Sequence, residues 1–168
     1  MRIEDHWDEI SYICRKSMGN LAFATVNEDG TPHLTPIGSL IPRGDCSAFY
    51  FEQYPSRLPE NLERDNRISV LAVDMRKVFW IPSFLLGHYT HPPAVRLYGR
   101  AGERREATTE EIAAFHKNPW VKLMSIFKLK GYQVAWKPMT HVRDIHFDSF
   151  EPCDMGTMSR GHWGQGRS

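Results

Sequence analysis

The sequence predicts a single α+β domain: a small antiparallel β-barrel of about six strands with flanking helices. Five short strand-like segments come before residue 102, joined mostly by turns, and one short helical segment interrupts them. This order favours an antiparallel barrel over a doubly wound parallel sheet, in which strands and helices alternate. A chain of 168 residues fits one domain and can bury a core without disulfides or metals.

Charge and cysteine content exclude several classes of protein. The formal net charge is +1 with both signs interspersed, which argues against nucleic-acid binding. The three cysteines, Cys14, Cys46 and Cys153, form no C-x-x-C motif, so neither a disulfide framework nor structural zinc is predicted. No signal peptide or membrane span is recognisable. We therefore expect a cytoplasmic protein that has no metal site and does not bind membranes.

The first elements follow from periodicity and turn residues. Residues 3–17 place apolar side chains at spacings of four, three and four, which predicts a helix. Residues 21–27 alternate as a strand, and Asp29-Gly30 is a strong hairpin signal. The return strand, 33–41, contains proline and glycine and should therefore bend or bulge.

The middle of the chain continues the barrel. A turn at 42–45 leads to a third, aromatic-rich strand at 47–53, and a short helix is predicted at 56–66. The next segment, 68–73, is almost entirely apolar, as expected of a strand covered on both sides. A fifth strand at 94–101 contains a glycine that should interrupt it.

The segment 75–93 has no clean period. Its part from 78 to 86 is too apolar for a free loop, so we expect it to pack at a dimer interface or to form a wall of a cofactor pocket. Two histidines in this segment, His88 and His91, could bind a metal or haem. Surface or pocket-lining histidines are commoner, because a metal needs three or four converging ligands.

Two further helices and a last strand are predicted in the C-terminal third. Thr108 and Glu111 form a capping box that opens a helix ending near residue 117. Residues 120–128 resemble a basic amphipathic helix, for which a core helix with a solvated face is commoner than a membrane-bound one. Alternation over 142–150 predicts the sixth strand.

The domain should span residues 1–155 and be followed by a flexible tail, 156–168, that is rich in glycine. Trp163 is an unusual residue for a polar tail. It could cover a pocket on a partner subunit.

The most informative segment for function is the beginning of the helix at Ser56. A helix N-terminus presents unpaired amides and a partial positive charge, which together attract phosphate. Arg57 adds a planar bidentate donor, although a cation in the first turn opposes the helix dipole by roughly 0.3–1 kcal/mol. The alternative is that Ser56 only caps the helix and that Arg57 pairs with Glu60 or Asp65.

Six short motifs follow one another between residues 21 and 102. They are Leu21-Ala22-Phe23-Ala24-Thr25-Val26, Asp29-Gly30-Thr31-Pro32-His33, Thr35-Pro36-Ile37-Gly38, Ser56-Arg57 with Asn61-Leu62, Ile68-Ser69-Val70 and Val95-Arg96-Leu97-Tyr98-Gly99-Arg100. In this order and spacing, the sequence resembles the pyridoxamine phosphate oxidase-like family of flavin-binding split β-barrels. No single motif is specific, but six motifs in this order and at these separations are a much stronger signal than any one of them alone.

The resemblance implies a homodimer with FMN at the subunit interface. By position, the backbone of Ile37–Ser39 would face the flavin ring, Phe51 and Glu52 would flank the ribityl chain, and Ser56 and Arg57 would hold the phosphate. The full implied cofactor-binding set is Thr35, Pro36, Ile37, Gly38, Ser39, Phe51, Glu52, Ser56, Arg57 and Asn61.

The sequence also departs from the family pattern. Leu58 stands where a lysine is frequent, Glu52 where a hydroxyl is frequent, and Ala94 where the true oxidases have glutamine. Their C-terminal signature of Trp followed by Arg and Pro is missing. The chain is therefore expected to be a relative of the oxidase and not the oxidase itself, and whether these changes weaken FMN binding is left open.

The resemblance implies an FMN-dependent oxidoreductase acting on a small organic substrate that the sequence does not identify. No nucleophile–base motif is present, which fits chemistry carried by a flavin. Two alternatives remain: a reductase of the same fold that uses the deazaflavin F420, and a non-catalytic protein that binds flavin or haem.

Overall fold

The computed structural model describes residues 1–17, 20–54, 56–117, 119–127, 129–159 and 162–163. Its centre is one antiparallel sheet. The strands are β1 (Leu21–Val26), β2 (Pro32–Ile37), β3 (Ile41–Pro42), β4 (Ser47–Phe51), β5 (Arg67–Val73), β6 (Ala94–Glu106) and β7 (His141–Pro152). They pair in the order β2-β1-β5-β6-β7-β4-β3, so β2 and β3 are the edges of the sheet.

Helices flank this sheet. They are α1 (Trp7–Lys16), α2 (Arg57–Arg64), α3 (Lys77–Leu86), α4 (Thr109–His116) and α5 (Pro119–Ile126). A 3-10 turn, Glu4–His6, precedes α1, and a π-helical segment, Tyr132–Trp136, follows α5. The predicted α+β split-barrel fold is confirmed.

The return strand of the first hairpin is shorter than predicted, which raises the strand count to seven. β2 ends at Ile37, and pairing resumes only at Ile41 in β3. In between, the Ser39 hydroxyl bonds to the backbone of Phe51, so this stretch crosses to β4 and leaves the β1 ladder. Residues 18 and 19, between α1 and β1, lie outside the described residues.

Most of the core lies between the sheet and α1. Ile10 and Ile13 of α1 are fully buried, as are Phe23 of β1 and Val70 of β5. A smaller group, here called the second core, packs α4, α5 and the π-helical segment against β4 and β7. Its members are Phe49, Phe51, Phe115, Val121, Tyr132 and Val142.

Two glycines occupy positions that require them. Gly30 has φ +82° in the β1–β2 turn, where Asp29 accepts a hydrogen bond from the Thr31 amide, so the predicted hairpin is confirmed. Gly99 lies at a bulge between β6 and β7. A Cβ there would stand 2.1 Å from the His146 carbonyl oxygen, so the strands can approach only because residue 99 is glycine.

The segment without a clean period contains a helix, α3. Phe79 and Ser83 are its buried residues, four positions apart, while the apolar side chains around them are exposed. Apolar residues on all sides therefore hid the helical period. Arg76 precedes α3 and binds the buried carboxylate of Asp74, which fixes its start.

Part of the segment predicted as a flexible tail is packed on the domain. Gly156–Ser159 forms a 3-10 turn, and Trp163 is only 2% exposed. The Trp163 ring lies 5.1 Å from that of Phe150 and 5.8 Å from that of His6 in the same chain. Burying the large apolar surface of an indole releases free energy, which offsets the conformational entropy that the chain loses when it packs here.

No helix among the described residues is long and apolar enough to cross a membrane.

Candidate functional site

Two of the predicted cofactor segments meet where β2 and β4 end. The Ser39 hydroxyl accepts a hydrogen bond from the Phe51 amide at 3.1 Å and donates one to the Phe51 carbonyl at 3.3 Å. Both residues are buried, and the Phe51 ring packs 5.0 Å from that of Phe115. The structure therefore brings Ser39 and Phe51 together. The two hydrogen bonds between the Ser39 hydroxyl and the Phe51 backbone are here called the Ser39–Phe51 clamp, while the Phe51 ring packs in the core.

The rest of the β2 segment presents mainly backbone. Pro36 and Gly38 are exposed, whereas Ile37 is buried in the main core. The Thr35 hydroxyl contacts the His33 ring at 3.0 Å. Of the residues 37–39, whose backbone was predicted to face a flavin ring, Gly38 is thus the accessible one.

A cleft of about 410 Å³ opens beside this segment. Gly38, Ser39 and Leu40 form one wall, and Arg15, Lys16 and Lys117 contribute cations. The cysteine in its lining, Cys14, is no nucleophile, because burial raises the pKa of its thiol to about 12.

The negative charge of Glu52 is paired with Arg143 inside the protein. Its carboxylate accepts hydrogen bonds from Arg143 Nε at 2.9 Å and Nη2 at 3.0 Å, and from the Tyr50 hydroxyl at 2.5 Å. Burial raises the pKa of Tyr50, and the Glu52 charge raises it further, so the phenol stays protonated. Arg143 therefore compensates the charge of Glu52, and the position of Glu52 beside a ribityl chain stays a prediction.

Arg143 is itself almost fully buried. Besides Glu52 it binds Glu63 Oε1 at 2.7 Å and the Gly102 carbonyl at 2.8 Å. Burial opposes its charge, but these hydrogen bonds and the carboxylates outweigh burial and raise its pKa. Removing one partner of such a buried ion pair lowers the stability of the fold strongly, because the other charge is left unpaired. The pair fixes the end of β4 just before the chain enters α2.

Sequence reasoning missed Arg143, although a signal was present. It precedes the inward-facing Ile145 and Phe147 by two and four positions on β7, so strand alternation directs it to the interior. A charged residue in an inward register indicates a buried partner.

The beginning of α2 is open. Ser56 is exposed and its side chain makes no capping hydrogen bond. Arg57 is 64% exposed, and its contact with Glu60 is 3.9 Å long. Such an exposed pair contributes little to stability, so the guanidinium remains available to an anion. The predicted capping role of Ser56 is therefore wrong as regards its side chain, whereas the predicted pairing of Arg57 with Glu60 is present but weak.

Two other α2 residues have structural roles. Asn61 is buried and donates hydrogen bonds to Thr25 Oγ1 at 3.0 Å and to Asn27 Oδ1 at 3.1 Å, which tie α2 to the end of β1. Leu58, at the position where the family often has lysine, is fully buried. A phosphate at this helix would therefore rely on Arg57 and the backbone amides.

The two histidines of the 75–93 segment do not form a metal centre. His91 Nε2 lies 2.9 Å from Asp74 Oδ2, and its ring packs 4.1 Å from that of Phe79. His88 is exposed and contacts the Leu86 carbonyl. Within the described ranges no group of three or more potential ligands could hold a metal ion.

Comparison with known proteins agrees with this arrangement. The model of the family described as pyridoxamine 5'-phosphate oxidase matches residues 17–151, which include β1 to β7 nearly in full. The chain belongs to this family. The comparison with curated proteins gave no match.

Solved structures share the family's fold at low sequence identity. An FMN-binding protein from Syntrophomonas wolfei is 11% identical with a TM-score of 0.54, and the match covers 91% of this chain and 95% of that one. The haem storage protein HutZ from Vibrio cholerae is 15% identical with a TM-score of 0.52, covering 90% and 95%. An F420 reductase is 13% identical with a TM-score of 0.51, covering 82% and 93%.

Proposed function

We propose that the protein is an FMN-dependent oxidoreductase that acts on a small organic substrate as a cytoplasmic homodimer. The observation that carries this proposal is the open beginning of α2, where Ser56 caps nothing and Arg57 is exposed. The FMN phosphate would bind there, and the flavin ring would lie against the backbone near Gly38. FMN supplies hydride or electron-pair transfer when it is bound.

Electrostatics support a dianion at this position. The first-turn amides and the helix dipole attract it, and Arg57 can donate two parallel hydrogen bonds. The acidic side chain that directly follows β4, Glu52, is compensated by Arg143. The Ser39–Phe51 clamp holds the neighbouring backbone in place, so the cofactor would meet a preorganised surface.

The homodimer is supported by the exposed apolar side of α3. Val78, Ile81 and Leu85 are 77%, 57% and 82% exposed, and their spacings of three and four place them on one side of this helix. A contiguous apolar patch of this kind marks an interaction surface. The free thiols Cys14, Cys46 and Cys153 fit a reducing compartment.

The proposal is tested by the absorbance spectrum of the untreated protein and by FMN titration. We expect a flavin spectrum, or quenching of added FMN fluorescence, with Arg57→Ala weakening FMN affinity roughly 10- to 150-fold, as for a lost charged hydrogen bond. Arg2→Ala is the matched control, because Arg2 is also exposed and makes one long ion pair, at 3.5 Å to Glu4. Unchanged flavin occupancy in Arg57→Ala would contradict the phosphate assignment.

Two alternatives remain. An F420-using reductase is favoured by the similarity of fold to the F420 reductase. It would change the absorbance of F420 in the presence of substrate while taking up no FMN. A non-catalytic flavin- or haem-binding protein is the other; haem would give a Soret band, and exposed His88 is the histidine whose replacement should abolish it.

A further inference from the structure

An exposed surface on α5 and the following turn combines apolar and cationic side chains. We call it the basic cap; its described members are Lys122, Leu123, Ile126, Phe127, Leu129, Lys130 and Val134. It lies outside the residues assigned to FMN and was not needed for the proposed function.

The sequence around the basic cap contains no acidic residue. Between Glu111 and Asp144, all 32 positions lack Asp and Glu, whereas five are lysine. Within the described ranges, no ion pair involves Lys122 or Lys130. Because nothing in this segment neutralises its lysines, the cap presents an uncompensated positive charge.

The apolar side chains of the cap are not core residues. Leu123, Ile126 and Phe127 are 45%, 63% and 66% exposed. The opposite side of the same region is fixed, since Val121 and Tyr132 are buried in the second core. This helix therefore buries one side, as expected of a core helix, and also exposes apolar residues beside its lysines.

Charge decides which partner fits. In a symmetric interface between two copies, the same patch faces itself, so uncompensated lysines would be brought together. The other exposed apolar surface, on α3, offers no acid either, because residues 75–102 contain none. Like charges across an interface cost several kcal/mol. An apolar and anionic partner is complementary to the cap, whereas the cap or the α3 surface of a second copy is not.

We propose that the basic cap docks on an anionic lipid bilayer. Ile126 and Phe127 enter the boundary between headgroups and acyl chains, and Lys122 and Lys130 lie at the anionic headgroups, in the manner of an interfacial amphipathic helix. The π-helical segment continues this surface, and the Val134 carbonyl accepts a hydrogen bond from Tyr54, two residues before Ser56. Docking therefore occurs beside the beginning of α2.

The test is co-sedimentation of the full chain with vesicles of phosphatidylcholine, alone or with about one-third phosphatidylserine. We expect binding only to the anionic vesicles, weakened by salt. Lys122→Gln and Lys130→Gln should each reduce partitioning roughly fivefold. Ile126→Asp with Phe127→Asp should abolish it. The matched control, Val26→Asp with Leu34→Asp, adds the same charge at exposed residues of the β1–β2 hairpin and should bind like the unchanged protein.

Equal binding to both kinds of vesicle, or no binding to either, would overturn the proposal. So would cap variants that partition like the unchanged protein. Loss of dimer in Ile126→Asp with Phe127→Asp, without vesicle binding by the unchanged chain, would make the cap a subunit interface instead. Should that double variant fail to fold by circular dichroism, the two single lysine variants decide the matter alone.

Discussion

Helix α4 begins at Thr108, whose hydroxyl accepts a hydrogen bond from the Glu111 amide while the Glu111 carboxylate accepts one from the Thr108 amide. Helix α2 begins at Ser56, whose side chain caps nothing, and has an arginine in its first turn. Both helices are preceded by a residue type that favours capping. Only at α4 does the side chain of this residue cap the helix.

The difference shows where the fold is stabilised and where it is left open. At α4 the amides are satisfied internally, and the Glu111 carboxylate also binds Arg105 and Arg43. At α2 the stabilising contacts come from the buried side chains of Leu58, Asn61 and Leu62, and no side chain caps the helix. A helix held by its buried side chains can leave its first amides to a ligand.

The largest effect is expected from Arg143→Met, which leaves the buried carboxylate of Glu52 without its partner. We expect the free energy of unfolding to fall by about 3–5 kcal/mol, measured by urea denaturation. The control is Arg96→Met: Arg96 pairs with Glu151 at 2.8 Å, but both are about half exposed, so the loss should stay below about 1 kcal/mol. Equal losses in both variants would contradict the buried pair as the anchor before α2.

The second largest effect is expected from acid, which should weaken the hydrogen bonds of the Glu111 carboxylate at the beginning of α4. Hydrogen bonds from Arg105 lower the pKa of Glu111 from 4.5 to about 2. A lowered pKa in the folded state means that the stabilisation is complete above pH 4.5 and disappears as the pH falls towards 2. The unfolding free energy of Glu111→Gln should therefore fall less between pH 5 and pH 2 than that of the unchanged protein. Parallel pH profiles would contradict this role.

Thr108→Ala removes the α4 cap. We expect the free energy of unfolding to decrease by about 1 kcal/mol, with the midpoint of thermal unfolding lowered accordingly. Thr108→Ser retains the hydroxyl and should restore most of the loss. If Thr108→Ala were as stable as the unchanged protein, the cap would not stabilise α4, and the contrast with α2 would be contradicted.

The smallest effect on stability is expected from Ser56→Ala. Because the Ser56 side chain makes no capping bond, the free energy of unfolding should change by less than about 0.5 kcal/mol, within the range of ordinary surface substitutions. A loss as large as that of Thr108→Ala would show that Ser56 caps α2 in solution and that its amides are not left to a ligand.

Local signals in the sequence predicted local structure well. The Thr108–Glu111 box and the Asp29-Gly30 turn both depend on residues close in sequence. Gly99 was predicted to interrupt its strand, but it only causes a bulge, and β6 continues to Glu106. Helix α3 was missed because its exposed side is as apolar as its buried one. The packing of Trp163 was missed because nothing near it in sequence indicates the surface that it covers.

The candidate site was predicted only in part, for the same reason. The exposure of Ser56 and Arg57 agrees with the expectation at the beginning of α2. The burial of Asn61 and the neutralisation of Glu52 depend on partners far along the chain, Arg143 being 91 positions away from Glu52. Such pairs become visible only when the sheet brings β4 and β7 together.

The edges of the sheet have a consequence for assembly. β2 is an edge strand of six residues, two of which, Pro32 and Pro36, have no N–H to offer, and the other edge, β3, is two residues long and contains Pro42. Strand addition from another chain needs a continuous row of donors and acceptors. Growth into extended fibres through either edge is therefore disfavoured, and any contact between copies is expected to use side-chain surfaces.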